Sequence, residues 1–426
     1  MLLYLTGKMP TRVIFQLLQL RKRLWAKPLL YCLIAVSVAF LAQFADFGRF
    51  GELLPEISHD TVLTLLSIIS SSMLAVATFA VGSMVSAYSS ASNSGTPRAF
   101  TLILDDDVSQ MALSSFIGAF IFSIVSIVAL KTGLYGRGGL FVLFVLTLAI
   151  FAWVVLTFVR WVDNIARLGR LGTTIDKAEA AARASLEQRK RAPFLGGVEK
   201  TETTTLNGYA VCGDAIGYVQ HIDMAALHEI AEKHDLRMMV DVMPGSFLAP
   251  GRAAVVLEQK DAPDEEVRKS ILQAFLIGDN RTFEGDPRFG LIVLSEIAAR
   301  ALSTGVNDPG TAIVIIGRFV RLFALWAAPL KEDEKVVEEY DRIIVPALSL
   351  GSMFDDAFTP IARDGAYSVE VGIRLQKAFH ALANLDYDRI ETEAKRHSNL
   401  ALARAKVVMT LREDFERVAQ VSEGKF

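Results

Sequence analysis

Val62 to Tyr88 reads VLTLLSIISSSMLAVATFAVGSMVSAY, about 27 residues without one charged side chain. A hydrocarbon core of about 30 Å needs about 20 apolar residues to cross it, so this stretch predicts a membrane-spanning helix. At about 1.5 Å per residue it would measure roughly 40 Å, enough to tilt strongly or to project beyond the bilayer. Ser67, Ser71, Thr78, Gly82 and Ser86 recur at helical spacing and fall on one side. Leu65, Ile69, Leu74, Val76 and Val81 are assigned to the opposite side, which suits lipid. The small, mildly polar face has two readings. One is close helix packing, with the hydroxyls touching the third span through Ser115, Gly118 and Ser126. The other is a pore lining, in which hydroxyls solvate a permeating species. Small-residue interfaces are common among multi-span proteins, and that weighs toward packing for the strip taken alone.

Working outward, three more stretches have the same character: Leu29–Phe47, Met111–Leu130 and Leu140–Val159. Four such runs in succession are hard to cover as core helices of a soluble protein. The first follows Arg21, Lys22 and Arg23 as a signal peptide would. The basic region starts too late for that, and three more spans follow, so it reads as a retained anchor. The average over 426 residues, 52% hydrophobic with a mean hydropathy of +0.36, conceals a sharp split, because the chain after Arg167 has ordinary charged composition. A net charge of −3 gives no sign of a polyanionic partner, so nucleic acid is not expected. Cys32 and Cys212 lie far apart, one in a span and one outside, which argues against a disulfide.

Positive charge sets the orientation. Lys8, Arg12, Arg21, Lys22, Arg23 and Lys27 precede the first span, and Arg160, Arg167, Arg170 and Lys177 follow the fourth. Both termini, and with them the large C-terminal domain, are therefore assigned to the cytoplasm. The loop Ser89–Gln110 falls on the same side and carries Asp105, Asp106 and Asp107. These acids could enrich cations at a cytoplasmic mouth, although a cap on the third span explains them as well. No ionisable residue lies deep in any span, which argues against a proton-coupled pump and leaves a passive pore, or no transport at all.

Beyond the spans the reading is a mixed α/β region followed by a mostly helical one. The segment at Thr174–Arg191 is a strong helix former that continues the fourth span. Strand-like alternation marks residues 200–260, with a short helix at Met224–His234. Helical periodicity marks Glu265–Ile277, Pro287–Leu302, Pro309–Trp326, Glu334–Leu350, Val369–Leu385 and Leu400–Val421. The division is a cytoplasmic segment 1–28, a four-helix transmembrane domain 29–160, a helical connector 161–198, a small α/β or β-rich subdomain 199–262 and a helical cytoplasmic subdomain 263–426.

Gly278 to Ala312 reads GDNRTFEGDPRFGLIVLSEIAARALSTGVNDPGTA. Asp286-Pro287 and Asp308-Pro309 each set an acceptor before a proline, the pattern of an N-cap with proline at the first helical position. Arg281, Asp286, Arg288, Asn307 and Asp308 form the densest polar cluster here. They read as caps with arginine partners, or as an anion site at two helix starts. With SSMLAVATFAVGSMVSAYSSAS, TPRAF, GYVQHIDMAALHEIA and PGSFLAPG, this segment resembles a bacterial family of predicted membrane proteins, domain of unknown function 2254. The resemblance covers nearly the whole chain. It implies the same architecture in a bacterial inner membrane and brings no activity, substrate or catalytic residue.

The six histidines form no HExxH pair and no zinc spacing with cysteine, and there is no GxSxG elbow or Walker A loop. The sequence therefore predicts no enzyme, no metal and no cofactor. Two functions remain. In one, homo-oligomers form a passive ion channel, with the second span lining the pore above a cytoplasmic vestibule. In the other, a non-transporting envelope scaffold or sensor binds a ligand or protein partner through its cytoplasmic domain. The long, charge-free hydroxyl helix beside an acidic mouth points to the channel.

Overall fold

The computed structural model describes residues 25–46, 55–94, 96–104, 106–168, 170–201, 208–331, 334 and 339–424. The chain divides into two compact units, Phe15–Thr174 and one whose described part begins at Ile175.

The first unit is a helical bundle. It contains α1 (Ala26–Leu41), α2 (His59–Ser94), the short α3 (Pro97–Leu104), α4 (Asp107–Lys131) and α5 (Arg137–Leu168). Each predicted span is a helix, and α2 is longer than its apolar stretch at 36 residues. A 3-10 turn, Ala42–Asp46, follows α1. The most inward helix is α4, which buries Ala112, Ser115, Gly118, Ala119, Phe122, Ser123 and Ser126. Small residues let neighbouring backbones approach, and a Cβ on Gly118 would lie 3.3 Å from the Tyr31 Cβ of α1. Buried hydroxyls bond back to their own helix, Ser123 Oγ to Ala119 O at 2.8 Å and Thr147 Oγ1 to Leu143 O at 2.7 Å, which satisfies their protons in apolar surroundings. Asp46 closes the start of α5 by accepting from the amides of Gly136 and Gly139, each at 2.8 Å. A Cβ on either glycine would run into that carboxylate.

Much of the outer surface of the bundle is apolar. Leu33, Leu41, Phe79, Val85, Leu156 and Val159 are among its exposed large side chains, as bilayer contact requires. One expectation for α2 is corrected here. Its inward face is Val62, Leu66, Ile69, Met73, Ala77, Ala80 and Met84. Ile69, assigned to lipid from the sequence, is thus core, while Leu74 and Val81 are exposed. The reason is the small-residue surface of α4, which accepts the larger apolar groups of α2.

Helix α6 (Leu171–Arg191), a helix distinct from α5, carries the chain into the second unit. Two sheets follow. One has the order β1-β8-β4-β6-β2, built from Gly197–Glu199, Tyr340–Val345, Met238–Val240, Ala253–Leu257 and Tyr209–Cys212. In it β8 pairs parallel with both β1 and β4. The other is β5-β3-β7, antiparallel, from Phe247–Leu248, Gly217–Ile222 and Phe275–Gly278. Helices α7 (Met224–Lys233) and α8 (Glu265–Gln273) belong to this part, and its core joins Val219, Leu227, Val255, Ile271 and Ile343.

The helical part comprises α9 (Pro287–Ala301), α10 (Pro309–Ala327), α11 (Leu350–Asp364), α12 (Val369–Ala383), α13 (Asp388–Val408) and α14 (Arg412–Ser422). It centres on Phe319, Phe323, Phe354, Phe358 and Phe379. Three helical expectations change. Glu334–Leu350 contains strand β8, Glu265–Ile277 ends in β7, and Leu400–Val421 is broken between α13 and α14. Strands from beyond residue 263 therefore complete the sheets, so the strand-rich part is not confined to 199–262. Ile343, Ile344 and Val345 are buried on a strand flanked on both sides. A short, fully apolar run of this kind has no alternation to separate it from a buried helix.

Candidate functional site

Three groups of residues stood out in the sequence, and the fold treats them differently. On α2, Ser67, Ser71, Thr78, Gly82 and Ser86 are all exposed. Nothing lies within 4 Å of a Cβ built on Gly82. The strip therefore packs on no other helix of its own bundle among the described residues. The contacts expected with α4 are not made, since Ser115 Oγ accepts from Trp153 Nε1 at 3.1 Å and Gly118 faces Tyr31. Ser71 Oγ donates to Ser67 O at 3.0 Å, and Thr78 Oγ1 to Leu74 O at 2.9 Å, so each hydroxyl proton has a partner within the helix. Both side chains are nonetheless exposed. The result is one helix side of hydroxyls and small residues, flanked by Ile68, Leu74, Phe79 and Val85.

The acidic run does not act as a unit. Asp105 lies outside the described residues. Asp106 is buried and caps α4, accepting from the Ser109 amide at 3.0 Å and from Asn164 Nδ2 at 2.6 Å. A carboxylate there is stabilised by the positive end of the helix. Asp107, in the first turn, is exposed and pairs with Lys27 of α1. One carboxylate of the expected mouth is thus turned inward.

The signature cluster is an interlock. Arg281 grips Asp286 with two parallel bonds, Nε to Oδ2 at 2.7 Å and Nη2 to Oδ1 at 3.0 Å. Asp286 also caps α9 through the Arg288 amide at 3.2 Å. Arg288 reaches across to α11 and holds Asp356 by Nε at 2.6 Å and Nη2 at 3.1 Å. Gly245 has positive φ (91°) and sits where any Cβ would strike the Asp286 carboxylate. Burial pushes the Asp286 carboxyl above its ordinary value, and Arg281 and the Arg288 amide offset this only in part. Asp308 stands apart, capping α10 through the Thr311 amide at 3.1 Å and hydroxyl at 2.6 Å. The Thr311 hydroxyl and amide hold its carboxyl below the usual range. Asn307 supplies the turn before it, with φ of 50°. The bidentate bonds and caps leave the cluster as a brace joining α9 and α11 rather than an open anion cradle.

Two participants escaped the sequence reading. Arg189 of α6 is buried, donates Nη2 to Gly285 O at 3.0 Å, and has its pKa lowered to about 10 by burial, against the pull of Asp286. His397 of α13 is 1% exposed, lies against Phe354, Phe358 and Phe379, and sits 3.2 Å from Asp355. Burial, then the neighbouring Arg396 charge, lowers its pKa to about 4. Their partners are remote in sequence, so no local spacing announces them. Among the described residues no group of three or more His, Cys, Asp or Glu side chains could hold a metal ion.

A family model described as predicted membrane protein, domain of unknown function 2254, matches residues 21–381. Uncharacterized proteins of Mycobacterium bovis and Mycobacterium tuberculosis are each 28% identical over 122 residues, which is 28% of this chain and 23% of theirs. The chain thus matches less than a quarter of the length of these relatives. No solved structure matches it.

Proposed function

The chain belongs to the predicted membrane proteins of the family called domain of unknown function 2254, and from that premise we propose a passive, homo-oligomeric ion channel lined by α2. One observation carries the reading: among the described residues the hydroxyl strip lies on the outside of its own bundle, uncovered by another helix. Lipid contact gives outward hydroxyl oxygens nothing to bind, whereas a shared axis gives them water and a permeating ion. The exposed Ile68, Leu74, Phe79 and Val85 flanking the strip would seal one copy against the next. Asp107 would contribute negative potential at the cytoplasmic end.

We place four helices in the bacterial inner membrane, with both termini cytoplasmic. Five helices are long and apolar enough to cross, the fifth being α10. Its Arg318 and Arg321 pair with Glu179, and Arg318 also with Asp176, all on the adjoining α6. An arginine at mid-bilayer costs about 2.5–3.5 kcal/mol on insertion scales, which favours α10 as part of the cytoplasmic domain. The competing function is a scaffold or sensor without transport. It is supported by the back-bonded Ser71 and Thr78, whose proton donors need no water.

Cysteine scanning separates the two in a background lacking Cys32 and Cys212. Ser71→Cys and Thr78→Cys should react with a charged, water-soluble thiol reagent and lose conductance in bilayer recordings, while the buried Ser70→Cys stays inert. Unreactive strip positions, together with no current under varied voltage, tension and ligand conditions, would remove the channel and leave the scaffold.

A further inference from the structure

The unit that runs from Ile175 to Phe426 contains a cleft of small-molecule size, independent of α2. Trp326 at the end of α10, the loop from Ala347 into α11 and the first turns of α13 enclose a cleft of about 500 Å³. Small-molecule pockets run from about 300 to 1,000 Å³, with a few placed polar groups among apolar walls. Three aromatic side chains line this cleft, Phe194, which also packs against the strand-rich core, and Trp326 and Tyr387. Among the described residues neither the Trp326 nor the Tyr387 ring meets another ring, and neither the indole N–H nor the phenol has a hydrogen-bond partner.

Two charges are similarly uncommitted. Arg389 in the first turn of α13 has no carboxylate partner among the described residues, although Glu393 follows one turn later. Glu393 accepts from Arg396 Nε at 2.7 Å instead. Glu199, at the end of β1, likewise has no ion pair among the described residues. Elsewhere in this unit, Arg281, Arg288, Arg318, Arg321, Arg342 and Arg363 all hold carboxylates. The cleft therefore gathers two free aromatic faces, one spare guanidinium and one spare carboxylate.

We propose that this cleft binds a purine nucleotide, with the base against Trp326 and Tyr387, the phosphate on Arg389 and an exocyclic amino group on Glu199. Each requirement follows from one lining group. Aromatic faces stack nucleobases whatever their sequence. The planar guanidinium fork matches a phosphate. A carboxylate accepts from a base amino group. An apolar ligand would strand both charges, and a bare inorganic anion would leave the rings unused while facing Glu199 and Glu393. This inference does not depend on the channel reading, because none of its residues lies in the membrane bundle.

The test uses the full-length protein in detergent, titrated with adenosine 5′-monophosphate by calorimetry. Adenosine, ribose 5-phosphate and inosine 5′-monophosphate are the companion probes, lacking phosphate, base and amino group respectively. Saturable binding of the monophosphate is expected at one per chain, with each companion weaker by about tenfold. Arg389→Gln should erase the preference for the monophosphate over adenosine while leaving adenosine binding intact. Trp326→Ala should weaken both, and Tyr387→Leu reads the same stacking face should the tryptophan variant unfold. No saturable binding at millimolar concentrations overturns the proposal. So does ribose 5-phosphate binding as tightly as the nucleotide, or an Arg389→Gln variant that behaves like the parent.

Discussion

Asp286 and Asp308 begin their helices with the same two-residue pattern, yet burial gives them different consequences. Asp308 loses one cap on removal, so Asp308→Ala should cost about 1 kcal/mol. Asp286 is 2% exposed and bound by a guanidinium itself largely out of water. Truncating it leaves Arg281 buried without its counter-charge, for which about 3–5 kcal/mol is the usual penalty. Denaturant unfolding of the two variants should rank them in that order, and equal losses would deny the brace. His397 sets a pH dependence. Its folded pKa of about 4 lies below the ordinary value of 6.5, so between those values the unfolded chain binds more protons. Stability should therefore be intact above about pH 6.5 and fall as the pH drops toward 4, by about 3 kcal/mol at most. His221, also held low by burial, acts in the same direction. Thermal unfolding of His397→Gln across pH 4–7 should give a flatter profile than the parent. Both caps were legible because a cap is local in sequence. The partners Asp356, Arg189 and Asp355 were not, since nothing near Arg288, Gly285 or His397 in the chain announces them.

At the scale of elements, packing rather than composition decides which side of α2 is inside. Its periodicity separates a small face from an apolar one without saying which meets protein. The answer comes from α4, whose buried surface is itself small and takes large side chains as neighbours. The contact of α4 with α1 depends on the missing side chain at Gly118, where Tyr31 already stands at contact distance. Gly118→Leu should separate the two helices and destabilise the solubilised protein by about 1–3 kcal/mol, the ordinary cost of overpacking. A thermal shift assay in detergent reads this directly. An unchanged midpoint would mean that α1 is held elsewhere, for example by Tyr135 Oη donating to Ala39 O at 2.8 Å. Two of the capped helices of the second unit, α9 and α10, begin where their proline pairs indicate. Strand β8 gave no such signal, because parallel strands buried on both faces lose the alternation that identifies them.

At the scale of the whole molecule, the basic residues before α1 and after α5 predict both ends in the cytoplasm. A periplasm-active reporter fused after Phe426 should be silent and one fused at Phe50 active, and the reverse pattern would invert the topology. The division into a membrane bundle and a charged domain was legible from hydropathy alone, since no soluble core absorbs four uncharged runs. Interlocking within the charged domain was not, because pairing between distant strands leaves no mark on either. The position of β8 between β1 and β4 has a consequence for biosynthesis. At about 5–20 residues per second, the ribosome delivers β8 several seconds after β4. Until then the nascent sheet has a gap one strand wide, bordered by two edges with open backbone hydrogen bonds. The completing strand must enter between them, so this domain cannot mature from its N-terminal side as it emerges. A stalled chain ending before Tyr340 would present those edges to any other extended polypeptide, including another copy being made on the same message.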